Sequence, residues 1–274
     1  MYSVFYIGVN PVIFEIGPIV IGWYVVMVTL AFLTVIGWMV WQNRRNQLMS
    51  SNNLIVAALI VVISGIIFAK LANVIDLRSY YKANPSAILK EMFSDDGWAI
   101  WGAVLGGVFG LWLYSRISHK FRFNQLLDLL APGIILAQAV GRVGCTLNGC
   151  CYGIESHSPL AVIYTNPNTN APVGIPVLPT QVFELLFDLA VFGVLLWLRG
   201  KLKPEGSIFW IYLALYAAWR VGIDFIRPGN PFLFGLHEAQ VISIAVLLIT
   251  LPLIIFRTRT KRKEVITQAS NSLS

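Results

Sequence analysis

Charge is scarce in this sequence. Of its 274 residues only 12% are Asp, Glu, Lys or Arg while 57% are hydrophobic, and the mean hydropathy of +0.72 belongs to membrane chains. That shortage excludes a soluble domain of any size and makes lipid the solvent in which the chain has to be read. Histidine and cysteine number three each, no His lies within five residues of any Cys, and there is no second Cys pair. The spacing of a zinc site is therefore missing, and no metal is expected. The opening MYSVFYIGVNPVIFEIG lacks a basic stretch ahead of its apolar run and a small-residue cleavage site. A cleaved signal peptide is not expected, and the stretch reads as an interfacial segment.

Long apolar runs are what the chain does have. A helix satisfies its own backbone donors and acceptors, so about 17 to 25 mostly apolar residues cross a bilayer. The runs predict an all-α integral membrane protein with seven transmembrane helices: Ile19 to Val40, Leu54 to Asn73, Ala99 to Leu113, Leu126 to Gly144, Val182 to Trp197, Ile208 to Phe225 and Ala239 to Phe256. Residues 1–256 form this spanning domain with its outer-face segments, and 257–274 a basic cytoplasmic tail. Thirteen of the 20 basic residues, from Arg44 to Lys263, fall in the loops after spans one, three, five and seven. Because Lys and Arg are retained on the cytoplasmic side, the amino terminus is expected outside and the carboxyl terminus in the cytoplasm. The net charge of +7 then reports topology, and no nucleic-acid partner is expected.

Polar residues inside the spans form stripes. In span four Asp128, Gln138 and Arg142 fall within about 80° of one another at 100° per residue. Gln181, Glu184 and Asp188 share a face of span five, and Arg220, Asp224 and Arg227 a face of span six and its end. A charge in a span costs several kcal/mol unless it is paired or wet, so such residues mark function more often than in a soluble core. Two readings stand. They are ion pairs that hold helices together, such as Glu184 with Arg142 or Asp224 with Arg220; or they are an arginine cluster near the outer headgroup level, suited to a phosphate ester through forked hydrogen bonds. In span three, Gly102, Gly106 and Gly110 recur every four residues, a spacing that permits close helix packing or a lipid's approach to bare backbone. Lys70, Asp76 and Glu15 have no partner that the sequence identifies.

All three cysteines lie in GRVGCTLNGCCYG, residues 141–153, as Cys145, Cys150 and Cys151. They fall at the expected outer face, where disulfides are permitted, but vicinal Cys150 and Cys151 are poorly placed to pair. The glycines at 141, 144, 149 and 153 predict a tight turn after span four, whose amides could join Arg142 and Asn148 in an anion nest.

This segment, through Gly141, Arg142, Gly144, Asn148, Gly149 and Gly153, resembles the hallmark of the bacterial prolipoprotein diacylglyceryl transferases. NPVIFEIGPIVIGWY, PTQVFE, WRVGIDFIRP and HEAQVIS follow in the same order, and the resemblance spans nearly the whole chain. It implies transfer of the diacylglyceryl group of phosphatidylglycerol to the lipobox cysteine of a prolipoprotein signal peptide, forming a thioether and releasing glycerol phosphate as the first step of lipoprotein maturation. It also implies a multi-pass protein of the bacterial cytoplasmic (inner) membrane, among membrane lipids, with its active site towards the outer leaflet and no cofactor.

By position, the resemblance assigns catalysis to Arg142, Arg220, Tyr24, Asn148 and Asp224. Phosphatidylglycerol binding falls to Arg142, Arg220, Gly153, Gln181, Glu184 and Arg227. Three departures accompany it: Trp101 stands where some members carry a histidine proposed as base, Cys150 where some carry Glu, and Phe183 where Tyr is frequent. The base stays unassigned. The resemblance further implies that the enzyme needs no cysteine of its own, so that Ser at all three positions is tolerated. Two other classes compete: a transporter or channel, which favours broken helices in two matching halves that this sequence lacks, and a thiol redox protein, which needs its cysteines.

Overall fold

The computed structural model describes residues 5–17, 19–88, 100–202 and 204–271, without the side chains of 16, 19, 76, 78, 79, 83, 100, 101, 103 and 257–271. The chain is mostly helical: α1 (Trp23–Asn46), α2 (Ser51–Asp76), α3 (Arg78–Ala83), α4 (Ile100–Ser118), α5 (Phe123–Asn148), α6 (Thr180–Leu198), α7 (Ser207–Ile223) and α8 (Glu238–Asn271). Six helices among the described residues are long and apolar enough to cross a membrane: α1, α2, α5, α6, α7 with its extension to Ile226, and the Glu238–Phe256 part of α8. The third expected span coincides with α4, although its first residue, Ala99, lies outside the described residues.

The all-helical expectation needs one correction, since five short strands lie in two small sheets. Strand β2 (Val12–Ile16) pairs antiparallel with β3 (Ile19–Gly22), so the chain is extended as far as Gly22 and α1 starts later than Ile19. Trp23 N then donates to Pro11 O at 2.9 Å, which ties the first turn of α1 to the hairpin. Strand β1 (Phe5–Ile7) runs parallel to β4 (Val162–Tyr164), which pairs antiparallel with β5 (Pro176–Val177). The segment after Ile154 is thus ordered around Tyr164, which packs with Val162, Ala171 and Val177.

The molecule divides into two compact units, 1–41 with 127–274 and 42–126. In the smaller, the Asn43 side chain clamps the turn before α2, donating to Met49 O at 2.9 Å and accepting from Met49 N at 3.1 Å. Helix α2 starts on Ser50, whose hydroxyl accepts from Asn53 N, the N-cap geometry that such residues favour. Its partner is α4. A β-carbon on Gly102 would strike Ala72 and the Phe68 carbonyl, one on Gly106 the Phe68 side chain and the Ser64 carbonyl, and one on Gly110 the Ser64 side chain. The glycine stripe is therefore a packing face that lets the two backbones approach. Lys70 is buried on α2; the Asp76 side chain lies outside the described residues.

In the larger unit the usual distribution of polarity is inverted. Phe32, Leu33, Leu186 and Leu248 are exposed while Gln181, Glu184, Asp188 and Asp224 are buried. That pattern needs an apolar solvent outside and partners for the polar groups inside. Asp128 supplies one such partnership, accepting from Gly206 N at 2.6 Å and Phe209 N at 3.0 Å. It caps the amino-terminal turn of α7, whose free N–H groups and positive dipole end favour a carboxylate. Gly106→Val is expected to force α2 and α4 apart and lower stability by about 1–3 kcal/mol, whereas Gly193→Ala, which meets nothing within 4 Å, is expected to leave it unchanged; thermal unfolding in detergent compares the two.

Candidate active site

The last turns of α5, the first turns of α6 and the end of α7 come together around one carboxylate. Glu184 is fully buried on α6. Its Oε1 lies 2.6 Å from Arg142 Nη2 on α5 and accepts from the Tyr216 hydroxyl of α7 at 3.2 Å. Its Oε2 faces Arg227 Nη1, just beyond α7, at 3.6 Å. The charge-assisted hydrogen bond to Arg142 is strong and directional and fixes where that guanidinium points, while Arg227 is held by the longer ion pair.

A second acidic centre lies on the same stripe. Asp224 binds Arg220 one turn back, 3.1 Å between Oδ1 and Nη2, and its Oδ2 lies 3.9 Å from His237 Nδ1. Gln240 steadies this corner by accepting from His237 N at 2.9 Å and donating to Val221 O at 3.1 Å. Arg220 is not used up by Asp224: its Nη1 is buried and has no hydrogen-bond partner among the described residues.

The turn after α5 closes the site. Helix α5 runs through Gly141 and Gly144 to Asn148, so the expected turn is confined to residues 149–153. A helix accommodates isolated glycines, and only Gly149, at φ 72°, needs the left-handed region that favours them. The carbonyls of the turn are held from outside: Cys150 O accepts from Gln181 Nε2 at 2.7 Å, and Cys151 O from the Thr180 hydroxyl at 2.6 Å and from Arg227 Nη2 at 3.0 Å. Gly153 N donates to Leu178 O at 2.8 Å, and a β-carbon there would lie 2.8 Å from Ile226 O, Leu178 and Thr180. The chain has no room for a side chain at that crossing.

Tyr164 reaches in from β4, donating to Thr146 O at 3.1 Å and accepting from Gln181 Nε2 at 3.3 Å. Burial pushes its phenol up to about 12, so it stays a neutral donor. Asn148 uses its carbonyl to hold the 169–170 loop, accepting from Asn170 N at 3.1 Å. Tyr24, on the first turn of α1, packs beside Gly144, where a β-carbon would come within 3.5 Å of the Tyr24 Cα.

Every residue that the sequence assigned to catalysis or phosphatidylglycerol binding lies in this unit, with different duties. Arg142, Arg220, Arg227, Glu184 and Asp224 form the charged network. Gln181, Asn148 and Gly153 shape the turn, and Asp128 and Gln138 sit lower on α5, the latter accepting from the Tyr212 hydroxyl at 3.1 Å. Asp188, one turn below Glu184, is buried with neither carboxylate oxygen hydrogen-bonded among the described residues. The Trp101 side chain lies outside the described residues. Sequence reasoning missed Tyr216, His237 and Gln240. The first was detectable, because Tyr212, Tyr216 and Arg220 recur every four residues on one face of α7; the other two come from the start of α8, and nothing in their spacing points at Asp224.

Fold and site together define a multi-pass helical membrane protein whose arginines converge on a buried carboxylate at the helix ends. Residues 11–256 match the sequence profile of the prolipoprotein diacylglyceryl transferases. A phosphatidylglycerol–prolipoprotein diacylglyceryl transferase of Dehalococcoides mccartyi is 46% identical over 260 residues, 95% of this chain and 98% of the relative. Proteins of the same name from Clostridium perfringens and Clostridium tetani are 37% and 33% identical, covering 70% and 81% of this chain and 74% and 86% of their own lengths. The chain belongs to the prolipoprotein diacylglyceryl transferase family.

Glu184→Ala removes the counter-charge of Arg142 and Arg227 at once and leaves the Tyr216 hydroxyl unpaired; the expected loss is about 3–5 kcal/mol, seen as a lower unfolding temperature in detergent, with Glu184→Gln losing less because it still accepts from Tyr216.

Proposed function

We propose that the chain transfers the diacylglyceryl group of phosphatidylglycerol to the cysteine thiol of a prolipoprotein's lipobox, at the outer leaflet of the bacterial cytoplasmic membrane. The membership of the family and the names of the relatives support the activity. The residue roles rest on the site. Its carrying observation is an excess of aimed cationic donors: Arg220 keeps Nη1 buried and unmatched beside the half-buried Arg142, a setting that suits the phosphodiester of a lipid.

In this reading Arg142 and Arg220 bind the phosphate and stabilise the charge that grows on it as glycerol phosphate leaves, the point at which preorganised donors gain most. Glu184 and Asp224 are positioning residues, holding those guanidinium groups in place before substrate arrives. Arg227, Gln181 and Gly153 hold the turn that forms the floor of the site, Asn148 anchors that turn from the end of α5, and Tyr24 stands at its α1 side. The precursor's thiolate attacks the diacylglyceryl carbon bonded to the phosphate oxygen; an S–C bond forms, the C–O bond breaks with its electron pair on oxygen, and the thiol proton is released.

The same reading takes α4 as a seventh span, with the amino terminus outside and the basic residues after Phe256 in the cytoplasm. The polar network then lies at outer helix ends, near headgroup depth. A fluorescent protein fused after the last residue is expected to fluoresce and a periplasm-dependent phosphatase at the same point to stay inactive; the opposite pair of results reverses the topology.

Purified chain in detergent, given phosphatidylglycerol labelled in its diacylglyceryl glycerol, is expected to label a lipobox peptide on cysteine. Arg142→Ala and Arg220→Ala are each expected to reduce transfer about 100-fold or more. Absence of label under conditions in which a relative transfers it would refute the proposal.

A further inference from the structure

Three thiols sit in this site, and none of the roles assigned there uses them. Cys145, on the last turn of α5, is buried, Cys150 is half-buried and Cys151 is exposed, and all three are free. Their sulfur atoms lie within 4.8 Å of one another. The turn gathers them, because Gly149 at φ 72° and Cys151 at φ 62° both adopt the left-handed region. A residue with a β-carbon enters that region only against steric resistance. Contacts to its carbonyl hold Cys151 there, from the Thr180 hydroxyl at 2.6 Å and Arg227 Nη2 at 3.0 Å.

The three are chemically unequal. Cys151 is the accessible one, and hydrogen bonding from the Cys145 and Cys150 thiols, then the charges of Arg227 and Arg142, hold its own thiol well below the ordinary value. Arg142 Nη1 lies 3.9 Å from Cys145 Sγ, and Cys150 Sγ lies 3.9 Å from the Cys145 carbonyl. An exposed thiolate in a positive field is the reactive form of cysteine, and a second thiol within reach converts its first oxidation product into a disulfide. A bond between adjacent Cys150 and Cys151 is strained. The partner left for Cys151 is Cys145, on the helix before the turn.

We propose that Cys151 and Cys145 are a thiol pair that a peroxide oxidises to a disulfide, and that this bond suppresses transfer until a thiol reductant breaks it. The activity it controls is the transferase reading, on which the proposal rests. The thiols take no part in transfer itself. In the first step the Cys151 sulfur attacks one oxygen of the peroxide, the O–O bond breaks, hydroxide leaves and a sulfenic acid remains. The Cys145 sulfur then attacks that of Cys151; an S–S bond forms, the S–O bond breaks, and the departing hydroxide takes the Cys145 proton to become water. The two sulfurs lose two electrons and the peroxide oxygens gain them.

The disulfide acts where the phosphate is held. It draws the Cys145 sulfur away from Arg142 and pulls on the residue whose carbonyl Arg227 holds. Both guanidinium groups meet at Glu184, so a shift of the turn displaces the donors together.

The test uses the full chain in detergent, reduced and then exposed to rising doses of hydrogen peroxide, which catalase removes before substrate is added. Mass spectrometry of unreduced peptides is expected to find Cys145 joined to Cys151. Transfer from phosphatidylglycerol to a lipobox peptide is expected to fall about tenfold or more as that bond accumulates, and to return with dithiothreitol. Cys151→Ser is expected to transfer at the full rate and to ignore peroxide. Cys145→Ser is expected to accumulate a sulfenic acid on Cys151, trapped by dimedone, and Cys150→Ser to keep both the disulfide and the sensitivity. Thermal transitions check that each variant is folded.

Thiols that stay reduced or advance to sulfinic acid without pairing overturn the proposal and leave the transferase reading untouched. So do a bond that involves Cys150, a disulfide that leaves transfer unchanged, and inactivation that persists in Cys151→Ser. Absence of transfer by the fully reduced enzyme, under conditions in which a relative transfers, overturns the transferase reading and with it the control proposed here.

Discussion

Glu184 joins an arginine of α5, a tyrosine of α7 and an arginine just beyond α7. A carboxylate wholly removed from solvent in a membrane protein is untenable alone, and it persists here because two guanidinium groups and a hydroxyl converge on it. The dependence runs both ways. With Glu184 in place, Arg142 and Arg227 have fixed directions, Arg227 reaches the Cys151 carbonyl, and the turn after α5 is held over the site. Asp224, a turn away, occupies only one end of Arg220, and Nη1 is left buried without a hydrogen-bond partner among the described residues.

The rest of the unit reads as support for that arrangement. Asp128 caps α7 at the end opposite the site, so the helix that carries Tyr216 and Arg220 is anchored at both ends. The small sheet built from β1, β4 and β5 brings Tyr164 to the last turns of α5. What begins as a lipid-facing bundle with exposed leucines therefore contains a polar interior whose partners are nearly all supplied by protein. Among the described residues the exceptions include Arg220 Nη1, Gln181 Oε1, Glu184 Oε2 and both Asp188 oxygens, which are buried without a hydrogen-bond partner.

Close packing and chemistry draw on the same residue type for different reasons. In α4, glycine permits the backbone of α2 to approach; at Gly153 it permits two loops and a helix start to cross beneath the site. The cysteines show the complementary case. Scattered over seven positions of one segment, they look like an unpaired residue and a strained vicinal pair. Folded, they are three sulfurs within 4.8 Å of one another.

Hydropathy and helical period alone determined the membrane class, most of the spans, and the polar faces of α5, α6 and α7, because each depends on composition and on a repeat of 3.6 residues that any helix must obey. The pairs Arg142 with Glu184 and Arg220 with Asp224 were legible for the same reason. Only the tertiary structure decided that Glu184 serves both Arg142 and Arg227, that His237 and Gln240 from α8 belong to the Asp224 corner, and that the residues before Trp23 are strands. Those contacts join segments far apart in the chain, and no local periodicity encodes which distant partner a side chain will meet.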